Sequence, residues 1–227
     1  MTAGLHAQIF RKWRQAGWIP EPDAMDILRA EGLEVVPHRT AGSVEEAVRF
    51  AGEIGFPVVA KVVSPEIMHK SDVAGVATGI TTGEELAGHF ERFRRMEGFT
   101  GMLVAAMLSG VELILGARID SQFGPAILLG IGGTGVEIYG DVAVRLAPLS
   151  ARDAAAMAAG LRGRPLLEGF RRQPGVNMEN LTATMLRFSD LVMKYRDRIE
   201  SVDINPLICS VEKCTVADAR IVLPGRE

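Results

Sequence analysis

Hydrophobic positions along the chain alternate between helical and strand periods. Met25 and Leu28 mark one face of a short helix predicted over 22–31, with Gly32 as its stop, and 33–36 reads as a short strand ended by Pro37. Ser43-Val44-Glu45-Glu46 has capping-box spacing, and Ala47, Phe50, Ala51 and Ile54 form the buried stripe of the helix that follows. Gly55-Phe56-Pro57 then turns the chain into Val58–Val63, a β-branched apolar run interrupted only by Lys61. This β-α-β order is the grammar of an α/β layer.

Beyond a polar segment centred on His69, Gly75 closes a loop and Val76–Ile80 alternates again. Thr82 and Glu85 repeat the capping-box spacing, and Leu86, Phe90 and Phe93 give a helix face ending near Gly98. Strands are predicted over 103–108 and 113–119, joined by a hairpin or bend at Ser109-Gly110, and over 125–129 and 142–146. Ser150 and Asp153 open an alanine-rich helix that stops at Gly160, and 162–177 reads as a loop or broken turn. Leu181, Met185, Phe188, Val192, Tyr195 and Ile199 recur at spacings of four and three, the signature of an amphipathic helix. The tail, 202–209 and 214–223, reads as a hairpin.

Composition narrows the class. An apolar share of 48% over 227 residues suits a soluble globular protein with a proper core. With 25 basic against 28 acidic residues, the net charge of −3 offers no electrostatic case for nucleic acid. The first twenty residues are basic, through Arg11, Lys12 and Arg14, but lack the apolar stretch of a secretory signal; an organelle-type presequence stays open. No apolar run is long enough for a membrane span. Cys209 and Cys214 are too few for a disulfide framework and lack zinc-type companions, so a reducing cytoplasm is expected. The pair is read as two small apolar residues with no chemistry.

Four stretches are weighed for chemistry. A lysine inside a buried strand is costly unless its ammonium meets an anion. Lys61 followed by an exposed loop with His69, Lys70, Ser71 and Asp72 points to phosphate chemistry, against the alternatives of a snorkelling lysine and an ordinary surface histidine. In the tail, a turn centred on Val211-Glu212 places Cys209 opposite Cys214 and Asn205 opposite Asp218, with Asp203 on the Asn205 face. Opposed residues have Cβ atoms roughly 4.5–5.5 Å apart, close enough for both oxygens to reach one magnesium ion. Pro206 interrupts the ladder there, and the competing reading is a kink with Asp218 as a surface residue. Finally, Gly130, Gly132 and Gly135 match the spacing of a dinucleotide fingerprint, but the segment from Val136 alternates like a strand instead of opening a helix. That reading is rejected in favour of a tight turn with close backbone approach. Glu112, just after Ser109-Gly110, suits a ribose hydroxyl or a lysine partner as well as a solvated turn.

Taken together, these stretches resemble ADP-forming acyl-CoA synthetases. The segment Pro57-Val-Val-Ala-Lys61-Val-Val-Ser-Pro-Glu-Ile-Met-His69-Lys-Ser-Asp72-Val-Ala-Gly75 carries the resemblance with Gly110-Val-Glu112-Leu, Asp141-Val-Ala-Val-Arg-Leu-Ala-Pro-Leu, Asp203-Ile-Asn205-Pro-Leu and Ala217-Asp218-Ala-Arg. It covers about 21–223 and implies an ATP-grasp fold, an α+β (α/β) architecture in which two subdomains clamp a nucleotide. The chain would be the small β subunit, similar also to part of the succinyl-CoA synthetase β subunit. A division into an N-terminal extension (1–20), a histidine-loop subdomain (21–103) and a nucleotide- and metal-binding subdomain (104–227) is expected.

The resemblance also implies roles. Lys61 would contact the phosphates of ATP or ADP, and the 104–107 strand, including Ala106, would read adenine through its backbone. Glu112 would bind ribose or pair nearby, Asn205 and Asp218 would hold Mg²⁺, and His69 would carry the phosphoryl group with Asp203 beside it. At the hinge, Ala105-Ala106-Met107 departs from the Gln-Glu pair common in the family, which leaves the choice between ADP and GDP open. No stretch resembles a CoA-binding domain or the domain of a first phosphohistidine. The implied partner is a larger α subunit carrying both, in an α2β2 assembly, with no nucleic acid and no membrane. Two other readings compete: a nucleotide-binding regulatory module without catalysis, and an ATP-grasp ligase working through an acyl phosphate, which leaves His69 without a role.

Overall fold

The computed structural model describes residues 2–133 and 140–225. The chain divides into two compact units. The smaller comprises 20–22 and 36–108, and the larger comprises 1–19, 23–35 and 109–227. This division differs from the expected one at 103/104, because 1–19 and 23–35 cluster with the C-terminal body.

The smaller unit is a four-stranded antiparallel sheet with two helices. Its strands are β2 (His38–Ala41), β3 (Val58–Val63), β4 (Val76–Ile80) and β5 (Gly101–Ala106), in the order β2-β5-β3-β4. Helices α3 (Val44–Ile54) and α4 (Gly83–Phe93) supply Ala47, Phe50, Ala51, Leu86, Phe90 and Phe93 to one core with Val58, Ala60, Val62, Met102 and Val104. Both helices start on the expected caps: Ser43 Oγ accepts from the Glu46 amide, and Thr82 Oγ1 accepts from the Glu85 amide. Each reciprocal glutamate reaches one residue further back, to the amides of Gly42 and Thr81.

The strand expected over 33–36 is not there; Val35 makes one isolated bridge, to Val216. The strand lies instead beyond Pro37, at His38–Ala41. An edge strand has one side facing water, so His38, Arg39 and Thr40 give it no apolar alternation to read.

The larger unit is built on a seven-stranded antiparallel sheet. Its path runs β1 (Trp18–Ile19), β13 (Ala219–Val222), β11 (Ser201–Cys209), β6 (Val111–Asp120), β7 (Gly124–Ile131) and β8 (Val142–Leu146), with β12 (Cys214–Val216) pairing on β11. Thus β5 and β6, a hairpin or bend in expectation, lie in different sheets and form a bend. Gly110 makes it, since a side chain there would put Cβ 2.5 Å from the Cys209 carbonyl oxygen. Helix α5 (Ala151–Gly160) opens on a capping box of Ser150 and Asp153, as expected. The 162–177 segment holds a short helix, α6 (Arg164–Glu168), and a two-residue ladder of β9 (Gly169–Phe170) with β10 (Gln173–Pro174). The amphipathic helix is α7 (Met178–Tyr195), which buries Leu181, Met185, Phe188, Val192 and Tyr195.

The basic N-terminal stretch is part of this unit. Helix α1 (Thr2–Trp13) buries His6, Ile9 and Phe10, β1 pairs with β13, and α2 (Glu21–Ala30) buries Met25 and Leu28. The His6 imidazole contacts the Tyr195 hydroxyl and lies 3.2 Å from Glu31, which also accepts from Tyr195 and Lys194.

In the tail hairpin, Cys209 and Cys214 are directly opposed, with Cα atoms 4.0 Å apart. They form a disulfide, which the count of two cysteines did not indicate and which their facing positions make possible. No helix among the described residues is long and apolar enough to cross a membrane.

Candidate nucleotide and phosphohistidine site

In the smaller unit, strand β3 carries Lys61 inward at 6% exposure. Its ammonium meets Glu21 at 2.6 Å, and the second oxygen of Glu21 accepts from Lys70. Glu21, at 2% exposure, is the anion that a buried lysine demands, and it comes from forty positions earlier in the chain. Burial pushes the Glu21 carboxyl up, but Lys61 and then Lys70 outweigh that effect and hold it below the ordinary carboxylate range. One carboxylate thus bridges two ammonium groups.

The strand releases a loop whose two ends are pinned. Ser64 Oγ donates to the Glu97 carbonyl and accepts from the Glu66 amide. At the far end the Gly75 amide donates to the Lys70 carbonyl at 2.7 Å, and the Gly75 carbonyl accepts from Val62. A Cβ on Gly75 would lie 2.6 Å from Val62 Cγ1 and 3.0 Å from the Lys70 oxygen, so no side chain fits there. Between these ends His69 is exposed, next to the half-buried Lys70 and ahead of a 3-10 turn over Ser71–Val73. The loop therefore presents an accessible imidazole beside a fixed positive cluster.

The 104–107 segment is the end of β5. The Ala106 amide donates to the Pro37 carbonyl at 3.0 Å and the Met107 amide to the Pro57 carbonyl at 3.4 Å.

In the larger unit the tail hairpin has the expected register. Leu207 faces Val216, Ile204 faces Ala219, and Asp203 faces Arg220, so Asn205 falls opposite Asp218. The Ala217 amide donates to the Pro206 carbonyl at 3.1 Å, holding the strands together at this step. Against β6 the register shifts between Ile204 and Leu207, a bulge at Asn205-Pro206 that turns these residues out of the ladder. Asn205 is exposed and Asp218 half-buried; Asp203 lies 3.7 Å from an Arg220 nitrogen. Among the described residues no group of three or more histidine, cysteine or acidic side chains is arranged for a metal. Two oxygen donors on facing positions nevertheless suit magnesium, which takes one or two protein oxygens and completes its octahedron with water and phosphate.

Glu112 is exposed at the start of β6, and its carbonyl accepts from Gly132 at 2.6 Å. A Cβ on Gly132 would lie 2.8 Å from that carbonyl, which is the close backbone approach expected of the glycine run. The continuation at 134–139, on which rejection of the dinucleotide fingerprint turned, lies outside the described residues.

Of the expected site residues, Lys61, His69 and Ala106 belong to the smaller unit and Glu112, Asp203, Asn205 and Asp218 to the larger. Glu21 is the addition that only the fold reveals, and it ties Lys70 of the histidine loop to Lys61.

Comparison with known proteins places this arrangement. Residues 12–223 match the ATP-grasp domain family. The β subunit of acetate–CoA ligase (ADP-forming) I of Pyrococcus furiosus is 38% identical over 211 residues, covering 89% of this chain and 90% of that one. Acetate–CoA ligase (ADP-forming) I of Archaeoglobus fulgidus is 36% identical over 91% of this chain, which spans 31% of that longer protein. The dinucleotide-forming acetyl-CoA synthetase 1 of Ca. Korarchaeum cryptofilum was solved with coenzyme A and Mg-AMPPCP, its phosphohistidine segment pointing towards the nucleotide-binding site. It superimposes with a TM-score of 0.83 at 35% identity, covering 96% of this chain and 99% of that one. With its fold, its histidine loop and a family match over nearly its whole length, the chain belongs to the ATP-grasp family, in the branch of ADP-forming acetate–CoA ligase β subunits.

Proposed function

We propose that this chain is the nucleotide-binding catalytic subunit of an ADP-forming acid–CoA ligase, interconverting acyl-CoA, ADP and phosphate with free acid, CoA and ATP. The observation that carries the reading is the exposed His69 on a loop anchored beside the buried Lys61–Glu21–Lys70 cluster. His69 takes a phosphoryl group from a histidine of the partner, one N–P bond breaking as another forms. It then gives the group to the terminal oxygen of ADP, breaking its own N–P bond and forming the P–O bond of ATP. A neutral imidazole nitrogen is a competent nucleophile near neutral pH. Phosphoryl transfer needs positioning and positive charge rather than new covalent machinery.

Lys61 supplies part of that charge; its bond to Glu21 holds the ammonium fixed in the strand. Asn205 and Asp218 would hold Mg²⁺, which would neutralise phosphate charge. The resemblance assigns Asp203 to the phosphohistidine, Glu112 to the ribose and Ala106 to adenine. Because the Ala106 amide is already bonded to Pro37, its carbonyl is the group left for the base.

The fused length of the Archaeoglobus relative and the β-subunit identity of the Pyrococcus one support a larger α partner that holds the acyl and CoA sites. An α2β2 assembly is our reading of the stoichiometry. A cytoplasmic location is our reading from the use of ADP, CoA and phosphate; the cysteines no longer support it, since Cys209 and Cys214 are bonded.

The test is phosphohistidine chemistry. With γ-labelled ATP and Mg²⁺, the chain should acquire an acid-labile, base-stable phosphoryl group that ADP discharges. His69→Asn should bind nucleotide with unchanged affinity and acquire no label. Label on the asparagine variant would remove His69 from the relay. Nucleotide binding without any label in the unaltered chain, with the partner present, would favour a regulatory module.

A further inference from the structure

The basic N-terminal stretch takes no part in the proposed reaction, yet it is folded into the larger unit and lines a cavity of about 810 Å³. Arg11 and Arg14 come from α1 and its C-terminal end, Arg198 from the turn after α7, and Phe10 and Leu223 from the packed interior behind them. Phe10 and Leu223 are 9% and 6% exposed, so they form a fixed apolar floor. Three contacts hold the walls: the Leu223 amide donates to the Gly17 carbonyl, the Arg198 amide donates to the Tyr195 carbonyl, and the Phe10 ring packs 5.4 Å from that of Tyr195.

Charge is the unusual feature. Neither Arg11, Arg14 nor Arg198 forms an ion pair among the described residues, although the protein as a whole is acidic. One carboxylate, Asp197, also lines the cavity; it lies 3.9 Å from Arg196. Among the described lining residues, three guanidinium groups against one carboxylate leave an excess of two positive charges, whose mutual repulsion a dianion would relieve. The guanidinium fork pairs bidentately with phosphate oxygens, where an ammonium offers only a point charge. The volume falls within the range of small-molecule sites, and the apolar floor suits the organic part of such a ligand.

We infer that this cavity, lined by none of the residues assigned to the nucleotide, is a second ligand site, which binds a small organic phosphate. Arg11, Arg14 and Arg198 engage the phosphate, and Phe10 and Leu223 seat its apolar portion.

The experiment is a titration of the full chain with phenyl phosphate, followed by nitrogen-15 NMR with Mg-AMPPCP saturating the nucleotide site. Saturable shifts are expected at the amides of Arg11, Arg14, Arg198 and Leu223. The double variant Arg11→Gln/Arg14→Gln should weaken binding about tenfold or more through loss of charge-assisted hydrogen bonds. All three arginines are exposed, so their substitution leaves the core intact; Arg198→Gln alone is a second, independent variant and should weaken binding severalfold. Absence of saturable binding would overturn the inference, as would equal affinity in both variants or shifts confined to Lys61 and Asn205. Tighter binding of an acidic peptide than of phenyl phosphate would also overturn it, replacing a metabolite site with a chain-docking one.

Discussion

At the scale of single residues, the Glu21 carboxylate controls the charge at the base of the histidine loop. It is buried between Lys61 and Lys70, so Glu21→Gln removes the negative charge that both ammonium groups meet there. The expected loss is about 3–5 kcal/mol, towards the lower figure because Lys70 partly reaches water. Urea unfolding measures it, and the double variant Glu21→Met/Lys61→Met should recover much of it, because it removes the buried pair together. The pH dependence has a defined sign. The folded Glu21 pKa lies below the unfolded value of 4.5, so the unfolded chain binds more protons between them. Its stabilisation is complete above 4.5 and is lost as the pH falls through the folded value. His6 has the same sign in a higher window. Burial lowers its pKa, Glu31 opposes and Lys194 adds to the lowering, so its contribution is complete above 6.5 and lost as the pH falls through the folded value. Urea midpoints should therefore decline in two stages on acidification, and Glu21→Gln should remove its share of the lower stage. Lys61 shows how far residue-level reading reaches: its need for an anion follows from its place in an apolar run, but Glu21 sits on no motif and becomes visible only in three dimensions.

At the scale of elements, the histidine loop depends on its closing glycine. Gly75 has no room for a methyl group against Val62 and the Lys70 carbonyl. Gly75→Ala should cost about 1–3 kcal/mol by overpacking. Because the displaced atoms include those of Lys70, it should also slow phosphoryl labelling of His69 more than it weakens nucleotide binding; equal effects on both would show that the loop seat is not specific to the histidine. Helices and the tail hairpin were legible at this scale because caps and register are local. The Ser150 box, the α7 stripe and the pairing of Cys209 with Cys214 all follow from spacing within a few residues of the contact. Strand β2 was not legible, since an edge strand facing water carries no alternation, and the bend at Gly110 was undecided because β5 and β6 join different sheets.

For the whole molecule, the proposed function assigns the acyl and CoA sites to an α partner. Purified alone, it should show no CoA-dependent turnover, while retaining Mg-ADP binding that raises its stability by about 2.7 kcal/mol at a ligand concentration a hundred times the Kd. Addition of the α subunit should restore turnover, and the mass of the mixture reports the stoichiometry. Full turnover without a partner would refute the division of labour. The sequence by itself determined the helices with their caps, the hairpin register that sets Asn205 against Asp218, and the combination of Lys61 with His69 that pointed to phosphate chemistry. Each depends on local periodicity or on side chains close along the chain. Only the tertiary structure decided that Glu21 neutralises Lys61, that the basic N-terminus is a packed wall of the larger unit, and that Cys209 and Cys214 are bonded. Those outcomes depend on which distant segments share a buried environment, where an unpaired charge is too costly to persist and a facing pair of sulfurs is close enough to join.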